Sequence, residues 1–153
     1  MAHIIGTLSL STIGLLFGLS FAWAHSGATG IVKTRMEAMK TIGAEMKKTA
    51  EMIQGKSTFD VKAGAESART ISSLGEEIPR LFPEKSNPDP SEALNAIWQN
   101  WQDFESEGRQ MVAAANALAV KFEKATAVKD VVQEFRTLAG TCKSCHKTYR
   151  KNK

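Results

Sequence analysis

Apolar and small positions recur along this chain at alternating intervals of four and three. Val32, Met36, Met39, Gly43, Met46, Ala50 and Ile53 form one stripe, with Lys40, Glu45, Lys47 and Lys48 off it. That is the period of an amphipathic helix. Gln54-Gly55 predicts its end. A second stripe runs Val61, Ala65, Ala68, Ile71, Leu74, Ile78, with Asp60 as N-cap and Pro79 as the stop. Pro83 to Pro90 is the one proline-rich stretch and reads as a surface connection. Asp89-Pro90-Ser91-Glu92 then predicts a helix start, with a capping aspartate, proline in the first turn and glutamate at its third position. The third stripe is Ile97, Trp101, Phe104, Gly108, Met111, Ala115, Leu118, Phe122, and the fourth is Val128, Val131, Phe135, Leu138, Cys142, Cys145, Tyr149. No stretch of strand length alternates with period two. Four helices, each with one apolar stripe and mostly short connections, predict an all-α antiparallel four-helix bundle. A bundle alone implies no function.

Residues 1–24 break this pattern. They contain no Lys, Arg, Asp or Glu, are mostly apolar from Ile4 to Phe21, and end in Ala22-Trp23-Ala24. This is the pattern of a secretory signal peptide cut before His25, although the only basic-type residue near its start is His3. The expected mature domain is therefore residues 25–153, exported to the periplasm. No later apolar run reaches spanning length, so stable membrane insertion after cleavage is not expected.

The chain of 153 residues carries 20 Lys and Arg against 16 Asp and Glu, a formal charge of +4, all within the expected mature part. That excess is too small, and too scattered, to point to nucleic acid. It favours an acidic partner surface.

The chemistry sits in the last helix. Both cysteines of the chain fall in Cys142-Lys143-Ser144-Cys145-His146. C-x-x-C-H is the attachment signature of c-type haem. On a helix, residues three and four apart share a face. Two thiols so placed can bond the two haem vinyl groups, and the adjacent imidazole can take the iron as an axial ligand. A disulfide or a thioredoxin-like redox pair would use the same C-x-x-C, but the latter belongs in a βαβ context. A structural zinc site needs about four ligands, and the expected mature chain adds only His25 to this motif.

A C-x-x-C-H near the end of a four-helix bundle resembles the class II cytochromes c, the cytochrome c-prime family. Arg35-x-x-x-Met39-Lys40, Leu81-Phe82-Pro83, Ala96-Ile97-Trp98 with Phe104, and Cys142 to His146 followed by Tyr149-Arg150 carry the resemblance over nearly all of the mature chain. It implies a bundle with one covalently attached haem c. Met39 matches the family position over the distal haem face, which places the chain in the low-spin, methionine-ligated branch. A thioether there raises the reduction potential. Gly43, one turn on, leaves room for the macrocycle, and Arg35, one turn back, is placed to pair with a haem propionate. Met46 lies seven residues beyond Met39, roughly 10 Å along the axis, too far to share one iron. Met36, Met46 and Met111 are expected to be core.

The expected function is a periplasmic electron carrier, not an enzyme, with iron between His146 and Met39. The alternative is a high-spin member binding nitric oxide or another gas at an open distal side, and a third reading is a haem-free thiol module. Lys143, Lys147, Arg150, Lys151 and Lys153 cluster near the motif. They read as a solvated helix end, where cations suit the helix dipole, and also as an expected docking patch for an acidic redox partner. The family's habit of pairing through the first two helices leaves a homodimer open.

Overall fold

A computed structural model describes residues 27–152; the expected signal peptide, His25 and Lys153 lie outside the described residues. Helix α1 spans Gly30–Ile53, α2 Val61–Glu77, α4 Trp101–Lys124 and α5 Val132–Tyr149, with a single helical turn, α3, at Ala96–Gln99. Tight 3-10 turns at Ile78–Leu81 and Val128–Asp130 lead out of α2 and into α5. These four long helices are the predicted ones, and they form a four-helix bundle. Among the described residues the only strand-like pairing is an isolated bridge between Ala93 and Arg150.

Local chemistry sets the helix ends. Asp60 Oδ1 accepts from the Ala63 amide at 3.0 Å, the N-cap bond the sequence predicts for α2. Gly55, just past α1, has φ +69°, a left-handed turn that glycine takes without a steric penalty.

The third helix departs from its predicted start. Asp89 to Glu92 is loop, because tertiary partners claim its capping groups. The Asp89 carboxylate pairs with Lys151 at 3.7 Å and the Glu92 carboxylate with Arg150 at 2.6 Å, while the Ser91 hydroxyl between them accepts from Arg35 at 2.9 Å.

The α1 stripe also turns out to be rotated. Its buried residues are Val32, Arg35, Ala38, Ile42, Thr49 and Met52. Met39, Met46 and Ile53 lie at the edge of this face and pack against the core, whereas Met36 and Gly43 are exposed. Met36 is therefore not core. Two polar residues hold the buried face, Arg35 through bonds to a loop and Thr49 through a 3.0 Å bond to the Glu45 carbonyl. A reading by apolar period cannot see them.

The centre of the core is the contact between α2 and α4, with Ala68, Ile71, Ala115, Leu118 and Phe122 fully buried. Phe122 also stacks on Phe59 with centroids 5.9 Å apart. Gly64 lets α2 approach this ring so closely that a Cβ there would overlap Phe122. Gly64→Ala should therefore destabilise the fold by about 1–3 kcal/mol through overpacking, read as a lower denaturation midpoint at unchanged m.

α1 packs on α2, α2 on α4, and α4 on α5. The fourth side of the bundle, between α1 and α5, is different: the backbones of these two helices scarcely approach each other.

Candidate functional site

α5 turns Leu138, Cys142, Cys145 and Tyr149 toward the core. Cys142 and Cys145 are half-buried free thiols, one helical turn apart as their spacing requires. Burial pushes the Cys142 thiol up. Burial, with the nearby charges of Glu107, Cys142 and Asp103, pushes Cys145 up to about 11. Both are thus protonated at neutral pH, the form that resists stray thiol exchange.

His146 follows directly and is exposed. Partial desolvation and the Arg150 cation lower its pKa, with Glu92 acting the other way. The neutral imidazole, the form that ligates a metal, is therefore favoured.

Polar bonds to α4 fix the azimuth of this helix. Tyr149 OH donates to Asp103 Oδ2 at 2.5 Å, and Ser144 Oγ donates to Glu107 Oε1 at 2.7 Å. The second carboxylate oxygen of Glu107 is buried and unpartnered. Sequence reasoning missed Asp103, Glu107 and Ser144. Their signal was a pair of acids four apart on the flank of the third stripe.

Burial and the Asp103 carboxylate raise Tyr149 to about 12, against an ordinary tyrosine value of about 10. The neutral phenol is the bonded form, so its contribution to stability is complete below pH ~10 and lost as pH rises through the folded value. Tyr149 is the only tyrosine in the chain, so its single ring-carbon NMR resonance should titrate near 12 and move down in Asp103→Ala.

On the opposite wall, α1 presents Met39, half-buried, and Gly43, where a Cβ would meet nothing. Arg35 is 4% exposed. Its Nη1 donates to the Leu81 carbonyl and the Ser86 hydroxyl at 3.3 and 3.4 Å, and its Nη2 to the Ser86 carbonyl and Ser91 hydroxyl at 2.7 and 2.9 Å. The guanidinium also lies 4.3 Å from the centroid of the Phe82 ring. Phe82 in turn packs edge-on against Phe104. Burial lowers the Arg35 pKa. All four acceptors are neutral, and no carboxylate among the described residues pairs with this buried cation. Buried charge normally has a counter-charge.

The predicted basic cluster is partly consumed within the fold. Arg150 pairs with Glu92, and Lys151 with Asp89 at 3.7 Å. Lys143 and Lys147 are exposed.

The site is thus two inward-facing, half-buried thiols and an exposed imidazole on α5, and a half-buried methionine and a buried cation with no carboxylate partner among the described residues on α1, two helices whose backbones stand apart. These residues fit a flat, anionic, iron-bearing macrocycle. The family model for Cytochrome C' matches residues 30–150. The chain belongs to the cytochrome c' family. It is 34% identical over 146 residues to cytochrome c-556 of Agrobacterium fabrum, covering 95% of this chain and 97% of that one. It is 32% identical to cytochrome c' of Pararhodospirillum photometricum, over 78% of this chain and 94% of its relative. Among solved structures, cytochrome c' from Rhodopseudomonas palustris superposes with a TM-score of 0.76 at 27% identity, covering 82% of this chain and 99% of that one.

Membership in the cytochrome c' family makes this a c-type cytochrome with covalently attached haem c and an electron-transfer or gas-binding role.

Proposed function

We propose that this cytochrome is an electron carrier in which Cys142 and Cys145 form the thioether bonds, His146 is the proximal ligand and Met39 the distal one. The observation that carries this reading is the wide spacing of the α1 and α5 backbones, with Met39 on the one helix and the C-x-x-C-H motif on the other. Bound haem c supplies a one-electron ferric–ferrous couple.

The chain's own residues do the rest. Two tethers on a rigid helix hold the group in one orientation. The lowered pKa of His146 keeps its imidazole available as a ligand. A soft thioether from Met39 favours the ferrous state and raises the potential. The buried Arg35 cation is the counter-charge for a propionate. Lys143 and Lys147 supply the exposed positive charge for an acidic redox partner, and their effect is on encounter rate. The protein acts in the periplasm after removal of residues 1–24 and catalyses no reaction of its own. No helix among the described residues is long and apolar enough to cross a membrane.

The second reading is a gas-binding cytochrome with no sixth protein ligand. The half-exposed edge position of Met39 on α1 favours it. The optical spectrum of the purified holoprotein separates the two. A low-spin ferric spectrum with a sulfur-to-iron charge-transfer band is expected. A high-spin spectrum would put the gas-binding reading first.

A further inference from the structure

The α1 and α5 backbones scarcely approach each other, yet both helices are fastened to the same loop. From α1, Arg35 Nη2 donates to the Ser91 hydroxyl at 2.9 Å and to the Ser86 carbonyl at 2.7 Å. From the end of α5, Lys151 Nζ donates to the Ser91 carbonyl at 2.9 Å, and Arg150 pairs with Glu92 at 2.6 Å. Backbone bonds reinforce this arm: the Lys151 amide donates to the Glu92 carbonyl at 2.8 Å and the Leu94 amide to the Tyr149 carbonyl at 3.0 Å. Ser91 is 3% exposed and Ser86 9%, so water competes little for their bonds to Arg35. Ser91 is held from both walls at once, by its side chain from α1 and by its main chain from α5.

The fastening points stand in register with the expected iron ligands. Met39 is four residues beyond Arg35 on α1, and His146 four residues before Arg150 on α5. Four residues of helix rise about 6 Å. Each ligand position therefore lies one turn from where its helix is tied down. Metal–ligand bonds tolerate displacements of only about 0.2 Å, so whatever sets the separation of the two walls also sets whether a thioether can reach the iron.

We propose that residues 86–94 form a strap that fixes the distance between the Met39-bearing and His146-bearing helices, with Ser91 as its node. Ser91, Arg35 and Lys151 are then positioning residues. The proposal rests on the His146–Met39 reading for its functional consequence, and on the strap's own bonds for its mechanics.

The test uses the holoprotein with Ser91→Ala, which removes one bond of the arm to α1 and leaves those of Arg35 to Ser86, and Lys151→Met, which removes one bond of the arm to α5. Carbon monoxide association with the ferrous protein should be faster in either variant, by up to about tenfold in Ser91→Ala, where the lost hydrogen bond is buried. The double variant should fall short of the product of the two single effects, because both bonds loosen one strap. Gly64→Ala is destabilised elsewhere and should keep the original rate. A second readout does not depend on the sixth ligand. With iron tethered to α5, the paramagnetic shifts of the Ala38 and Ile42 methyl groups report the distance to α1. They should move in both strap variants and stay fixed in Gly64→Ala. Unchanged methyl shifts in both strap variants would overturn the proposal, and Lys151→Met alone decides it if Ser91→Ala does not fold. An unmodified protein that is already high-spin refutes Met39 ligation, while the methyl shifts still decide the strap.

Discussion

Replacing both Cys142 and Cys145 with alanine leaves a protein from which acid extraction removes all of the haem. They are the only two cysteines in the chain, so no other thiol can form a thioether. The structure shows why each matters separately. Both are free, half-buried and on the inward side of α5, so each single variant keeps one sulfur facing the bundle. A single variant should hold haem through one bond, with a shifted haemochrome spectrum. The double variant should retain at most dissociable haem. It should also lose the stability that a bound group adds to the native state, several kcal/mol when the group is far above its dissociation constant. Haem that survives acid extraction from the double variant would refute attachment at these positions. A haem-free protein with a Cys142–Cys145 disulfide would point instead to the thiol module.

Met39→Ala should convert a low-spin haem to a high-spin one. The thioether is the ligand that favours ferrous iron, so its removal lowers the reduction potential. It also leaves the sixth position to carbon monoxide or nitric oxide, which should then bind without displacing a protein ligand. Other methionines separate ligation from packing. Met111 is 8% exposed, so Met111→Ala should cost about 2–5 kcal/mol of stability and leave the spin state alone. Met36 is 39% exposed, and Met36→Ala should change stability by no more than about 0.5 kcal/mol. If Met39→Ala leaves the spectrum of a low-spin protein unchanged, Met39 is not the ligand. Chemical denaturation and optical spectra on the same samples read both quantities.

The helices were legible because burial follows the apolar period closely wherever apolar side chains alone hold the interface. The third and fourth stripes show this. Ile97, Phe104, Met111, Ala115, Leu118 and Phe122 are buried as predicted, as are Val131, Leu138 and Tyr149. The first stripe failed at Met36 and Gly43 because α1 buries Arg35 and Thr49, which no hydrophobic period announces. The capping box at Asp89 to Glu92 failed for a related reason. Its aspartate and glutamate pair with Lys151 and Arg150 and its serine accepts from the buried Arg35, and local capping energies of about 1 kcal/mol yield to such charge-assisted bonds.

The sequence by itself determined the bundle and the haem motif. Both depend on spacing along one helix, where residues three and four apart must share a face whatever surrounds them. Only the tertiary structure decided how the walls of the site are held. The α1 and α5 backbones stand apart, Arg35 is buried with no carboxylate partner among the described residues, and a loop far along the chain ties Arg35 to the end of α5 through Ser91. Those bonds join residues about fifty to sixty positions apart. Their partners are set by where three separate elements converge, and no local pattern encodes that convergence.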